Sequence, residues 1–272
     1  MNTLNHLRPP EAFNDARLAA SDFDQTMALT FRPAPSGIGV HEAHAMAIED
    51  LYGVDALERY NAAGGLRNRA APEIIHDLFP DMPIEETALS SERLINRKLS
   101  ILLEQINGEW PEPTEGFAEC WSRIMQARTE GTPIDTAVIS AGHAPFIRRT
   151  FDVWGLPHPD VFVTSETLDG INSWMPPEHI QKPAPLSMTM AMGQWTRLYG
   201  QPGVLLDIDE AASRTVYAGD DAYKDGKLAE HFGIPFVHID PENAAAGWNS
   251  YAVQLGIGEL GTQGSVVYDT RG

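Results

Sequence analysis

The 272-residue chain has one cysteine, Cys120, so an internal disulfide is excluded and a reducing compartment is the natural setting. Cys120 falls in a helical pattern with no obvious base near it in sequence, which reads as a core thiol and not as a nucleophile. Long apolar runs are missing too; none approaches the ~18–20 residues that cross a bilayer. Basic residues are scarce: 19 Lys and Arg stand against 38 Asp and Glu, a formal net charge of −19. That field repels nucleic-acid backbones and anionic membranes, so neither is expected as a partner. Residues 1–13 carry charge and prolines but no apolar core of a secretory signal, which makes the cytoplasm the expected location. Repeats and low-complexity tracts are also lacking. What remains, 43% hydrophobic and 21% charged residues, is the composition of a folded globule of one large or two smaller domains.

The organising stretch is Leu18-Ala19-Ala20-Ser21-Asp22-Phe23-Asp24-Gln25-Thr26. Residues 18–21 are small or apolar, as in a short buried strand, and two carboxylates two residues apart then end the run. Alternation along a strand puts Asp22 and Asp24 on one side and Phe23 on the core side. A strand-ending Asx turn accounts for the same pair without chemistry. Upstream, residues 1–16 read as a polar leader laid over the surface. Breaker clusters at Arg32-Pro33-Ala34-Pro35-Ser36-Gly37 and Trp110-Pro111-Glu112-Pro113 bracket a block, 40–106, of helical periodicity divided into three or four helices. Two Pro-rich breaks around a helical block placed after a first strand imply an inserted helical domain on two linkers. Within it, His41 and His44 share a helix face, a spacing that serves either a metal or a solvated surface, the latter being expected because no third ligand is near.

Beyond the second break, strands predicted at 136–139, 161–163, 215–218 and 235–239 alternate with helices at 117–126, after 143, 186–198 and 225–232. This is the pattern of a parallel α/β sheet. In such sheets ligands sit at the carboxyl ends of the strands, and several of those ends are polar. Ser140 ends the second strand, and the Gly142 region opens a helix whose free N–H groups suit a phosphate. An N-cap serine is the plainer role for Ser140. His143 either enters that pocket or stays on the surface. Lys182, before Pro183, either offsets clustered carboxylates or is an ordinary solvated lysine, and Gly219-Asp220-Asp221 through Asp225 either puts more carboxylates at a strand end, where hard divalent cations find oxygen ligands, or is a capped turn before a helix. In so acidic a chain a phosphate site needs local positive charge from a lysine, a metal ion or helix N-termini. Arg67 and Arg69, two arginines within three residues of the helical block, are a weak substrate candidate.

Taken together, in order and in context, Asp22-Phe23-Asp24-Gln25-Thr26, Ser140, Lys182-Pro183 and Gly219-Asp220-Asp221 through Asp225 resemble the signature of the haloacid dehalogenase superfamily, over nearly all the chain after residue 17. The resemblance implies an α/β fold, a Rossmann-like parallel sheet core from 1–32 and 113–272 with an inserted α-helical cap of the first type at 33–112. It implies that Asp22 is the nucleophile and Asp24 the general acid and base, with Ser140, Ala141 and Lys182 on the phosphoryl oxygens. It further implies Mg²⁺ bound by Asp22, the backbone carbonyl of Asp24 and Asp220, with Asp225 in support; spacing alone leaves Asp220 and Asp221 open, and Asp220 is favoured. His143 and Arg67 remain weak substrate-binding candidates. Family dehalogenases and phosphonatases lack the second aspartate, so Asp24 argues for phosphoryl transfer. Ser21 departs mildly from the apolar residue usual before the nucleophile. The implied activity is a Mg²⁺-dependent phosphatase acting on a small phosphorylated metabolite. A phosphomutase is the alternative within enzymes, and a non-catalytic binding protein that keeps the fold is the alternative outside them.

Overall fold

The computed structural model describes residues 8, 13, 15–65, 70–106, 110–172, 180–199 and 207–261. Five strands form its sheet: β1 (Arg17–Ser21), β2 (Ile134–Ile139), β3 (Val161–Val163), β4 (Thr215–Gly219) and β5 (Phe236–His238). They lie in the order β3-β2-β1-β4-β5 and every pairing is parallel. β1 is therefore central, with Ser21 opposite Val138 of β2 and Ala218 of β4. Strands buried on both faces need no polar alternation, and β2 is buried at all six of its positions.

The helices are α1 (Val40–Tyr52), α2 (Val54–Ala62), α3 (Ala71–Leu78), α4 (Ile84–Gln105), α5 (Phe117–Thr129), α6 (Ala144–Trp154), α7 (Ser165–Asn172), α8 (Leu186–Arg197), α9 (Ile208–Ser213), α10 (Lys224–His231) and α11 (Ala244–Gln254). The chain divides into two compact units: Met1–Leu29 with Pro113–Ile147 and Gly155–Gly272, and Thr30–Glu112 with Arg148–Trp154.

In the sheet unit, Leu18, Ala20, Ala137, Ile139 and Tyr217 from three strands share one apolar cluster with Met188, Met192 and Trp195 of α8 and with Leu228 of α10. Each large side chain removed from water there contributes ~1.5–3 kcal/mol before entropy is set against it. The segment expected as a polar surface leader is partly packed instead. Phe13 lies 4.9 Å from Trp195, ring centroid to centroid, and the Arg214 guanidinium sits 4.2 Å from the Phe13 ring centre. Arg8 pairs with Asp135, a fully buried carboxylate on β2 whose other oxygen accepts from Trp195 Nε1 at 2.7 Å and Tyr199 Oη at 2.6 Å. A charge so placed is tolerated only because each partner is present.

In the helical unit, Ala43, Ala47 and Ile48 of α1 and Leu94, Ile101 and Leu102 of α4 are buried, at the three-and-four spacing of an apolar helix stripe. The two breaker clusters meet within this unit, where the Trp110 indole N–H donates to the Arg32 carbonyl at 2.6 Å. His44 corrects one expectation. It is 3% exposed and stacks on Tyr60 with ring planes 6° apart, whereas His41 is exposed and contacts Phe31. The two histidines thus form neither a solvated face nor a metal pair, because the apolar stripe takes His44 inward. Helices α7, α9 and α11 had no counterpart in the sequence reading; α7 and α9 are short, and α11 opens on three alanines that carry no amphipathic signal.

Candidate active site

The site is built at the carboxyl end of β1, entirely within the sheet unit. Asp22 continues the strand by donating its N–H to Ala218 O at 2.9 Å. The chain then turns: Met27 and Ala28 N–H groups both donate to Phe23 O, and Gln25 takes a left-handed conformation at φ 59°. Phe23 is fully buried, edge-on to Phe146. The turn points Thr26 inward, where its Oγ1 donates to Asp220 Oδ1 at 3.1 Å.

Lys182 is the hub. Its Nζ lies 3.0 Å from Asp22 Oδ1, 2.7 Å from Asp225 Oδ1, 3.2 Å from Ile139 O and 3.3 Å from Tyr217 Oη. Tyr217, in mid-β4, donates its hydroxyl to Asp225 Oδ1 at 2.8 Å, and the Asp221 N–H meets Asp225 Oδ2 at 3.2 Å. Asp225 can stand so close to the strand only because Gly219 lacks a side chain; a Cβ there would lie 2.4 Å from the Asp225 carboxyl carbon. Ser140 Oγ approaches Asp24 Oδ2 at 3.3 Å and accepts the Gly142 N–H at 2.9 Å.

Among the described residues, Lys182 pairs with Asp22 and Asp225, while Asp24 and Asp220 add their negative charge to that of Asp225 around Asp22. Burial, opposed by Lys182 and reinforced by Asp225, Asp24 and Asp220, pushes the Asp22 carboxyl up to about 8. Burial and the Asp225 charge raise Asp220 as well. Lys182 moves up too: burial opposes its charge, but Asp22 and Asp225 outweigh burial and keep it protonated. Such an excess of buried negative charge calls for a cation. Oxygen atoms of Asp22, Asp220 and Asp225 lie within 4.8 Å of one another, a hard-donor set that fits a small divalent ion.

Among the expected residues, Asp22, Asp24, Ser140, Lys182, Asp220 and Asp225 are brought together. Asp221 is directed elsewhere, its Oδ1 accepting the N–H groups of Tyr223 and Lys224 at the start of α10. Ala141 is exposed beside Ser140. His143 is 8% exposed, with Nδ1 3.0 Å from Glu166 Oε1. The α6 N–H groups expected to be free are partly taken, since the Ala144 N–H donates to Glu166 Oε2 at 2.9 Å. Arg67 lies outside the described residues. Tyr217, Glu166 and His238, whose Nε2 is 2.8 Å from the Asp220 carbonyl, went unread in the sequence. Only Tyr217 had a signal: a tyrosine amid a buried strand needs a partner for its hydroxyl.

No family model and no curated protein matches the chain. Many solved structures do resemble it. CbbY from Rhodobacter sphaeroides in complex with phosphate is 17% identical, with a TM-score of 0.47 over 82% of this chain and 85% of that one. A putative phosphoglycolate phosphatase from Lactobacillus plantarum is 13% identical, with a TM-score of 0.47 over 88% and 90%. The putative HAD-hydrolase YfnB from Bacillus subtilis, bound to magnesium, is 15% identical, with a TM-score of 0.45 over 84% and 91%. The likeness is one of fold, to haloacid dehalogenase-like hydrolases. In this sheet Asp22 and Asp24 follow β1, Asp220 follows β4, Lys182 precedes α8 and Asp225 lies in the first turn of α10.

Proposed function

We propose that the chain is a phosphatase of the haloacid dehalogenase superfamily, hydrolysing a small phosphorylated metabolite in the cytoplasm through an aspartyl-phosphate. The observation that carries this is the division of labour between two carboxylates: Asp22 lies 3.0 Å from Lys182, while Asp24 lies 3.3 Å from the Ser140 hydroxyl. Asp22 attacks phosphorus and the ester P–O bond breaks, with Asp24 giving its proton to the leaving alkoxide. Asp24, now anionic, takes a proton from water, which attacks the aspartyl-phosphate, releases inorganic phosphate and restores Asp22. Lys182, Ser140 and the Ala141 N–H neutralise and orient the phosphoryl oxygens. Mg²⁺ fits Asp22, Asp220 and the Asp24 carbonyl, with Asp225 in support. When bound it supplies the positive charge that keeps Asp22 ionised in this crowded, buried cluster. The helical segment 33–112 serves as the cap that selects the substrate.

The test is phosphate release from a panel of phosphate esters, with and without Mg²⁺, for wild type and Asp22→Asn. Metal-dependent release that vanishes in the variant is expected. Equal rates in both proteins would remove Asp22 from its role, and a wild type inert toward every ester would sink the phosphatase reading.

A further inference from the structure

The 140–144 loop is held from outside by three consecutive residues at the end of β3. Ser165 Oγ donates to Ala141 O at 2.5 Å and the Ser165 N–H to Gly142 O at 3.0 Å. The Glu166 carboxylate takes the Ala144 N–H at 2.9 Å on one oxygen and meets His143 Nδ1 at 3.0 Å on the other. Thr164 Oγ1 in turn donates to Glu166 Oε2 at 2.8 Å. Burial raises the Glu166 carboxyl, but the bonds from His143, Ala144 and Thr164 outweigh it and hold the group down at about 2.

This arrangement allots the loop's donors. Gly142 N–H goes to Ser140 Oγ and Ala144 N–H to Glu166, while the Ala141 N–H has no acceptor among the described residues. We propose that Ser165 and Glu166 are positioning residues that fix this loop so that the Ala141 N–H and the Ser140 hydroxyl are presented to a phosphoryl oxygen. The inference rests on the phosphatase reading above and adds to it the part that orders the anion site. Donors fixed in advance need no reorganisation when the phosphoryl group arrives, which is why a support that never touches substrate affects its binding. Glu166 also occupies the positive end of α6, so the loop and Lys182, and not that helix end, carry the attraction for the anion.

The test compares wild type with Ser165→Ala, Ser165→Thr and Glu166→Gln. Inorganic phosphate binding is measured by calorimetry in the presence of Mg²⁺, and KM and kcat are measured with p-nitrophenyl phosphate. Ser165→Ala and Glu166→Gln are expected to weaken phosphate binding and raise KM about five- to tenfold, with a smaller change in kcat, while both variants stay folded at the assay temperature by circular dichroism. Ser165→Thr, which keeps the hydroxyl, is expected to return both values to wild type. Wild-type affinity in Ser165→Ala and Glu166→Gln overturns the proposal, as does a loss in Ser165→Thr equal to that in Ser165→Ala. A wild type that neither binds phosphate nor releases it overturns the phosphatase reading instead.

Discussion

Tyr217 contributes a single hydroxyl to the site, yet that oxygen touches both Lys182 and Asp225, and all three side chains are shielded from water. Replacing it by phenylalanine keeps the ring in the core and leaves Asp225 one donor short. Hydrogen bonds to charged groups are worth ~1.5–3 kcal/mol. Tyr217→Phe is therefore expected to lose about 1–2 kcal/mol in urea unfolding and to lower kcat more than KM, because the lysine ammonium is less firmly aimed at Asp22. Glu166 yields a pH effect of definite sign. Its carboxyl is brought down from 4.5 to about 2, so the stability it adds is fully present above about pH 4.5 and is lost as the pH falls towards 2. A thermal melt of Glu166→Gln against wild type should show a gap at pH 6 that closes near pH 2. Residues 22, 24, 140, 182 and 220 were legible together and not singly, because carboxylates, a hydroxyl and a lysine at strand ends form an ordered signature. Tyr217 and Glu166 were not, because each takes its meaning from a partner that only folding brings near.

At the scale of elements, Thr114 shows how the sheet unit is sewn together after the helical insertion. Its Oγ1 donates to Thr26 O at 2.5 Å and accepts the Trp248 indole N–H at 2.9 Å. The chain's return is thus tied both to the turn that carries Asp24 and Thr26 and to α11, and Thr114 N–H donates to Met27 O as well. Thr114→Val preserves shape and strands the buried Trp248 donor, at a cost of about 1–3 kcal/mol measurable by denaturant unfolding. A fall in phosphate release larger than the loss of folded protein would locate the effect in the 23–28 turn. The strands were readable from β-branched and apolar runs, and α1 and α4 from the helical spacing of their apolar residues. Helix α11 was not, since Ala244-Ala245-Ala246-Gly247 has no polar face and becomes a helix by packing against α5.

Over the whole molecule, a net charge of −19 coexists with the proposed phosphate site, which among the described residues has one buried lysine, Lys182. Long-range attraction of a phosphate ester is absent, so affinity must come from local donors and a cation. Mg²⁺ is expected to raise the unfolding temperature of wild type, by about 2.7 kcal/mol of stability at a hundredfold excess over Kd. Asp220→Asn should lose most of that shift while keeping the fold, and an identical shift in both proteins would take Asp220 out of the metal set. The parallel α/β class, the helical insertion after the first strand and the order of the acidic, hydroxyl and lysine stretches were determined by sequence alone, because hydrophobic period and breaker placement are local properties of the chain. Which aspartate of the Asp220-Asp221 pair joins Asp22, the burial of His44, the role of Tyr217 and the brace of Ser165 and Glu166 on the 140–144 loop were decided only by tertiary structure. Each depends on the direction of a side chain towards groups tens of residues away, and that direction is set by packing and by the pairing of buried polar atoms, neither of which a linear pattern contains.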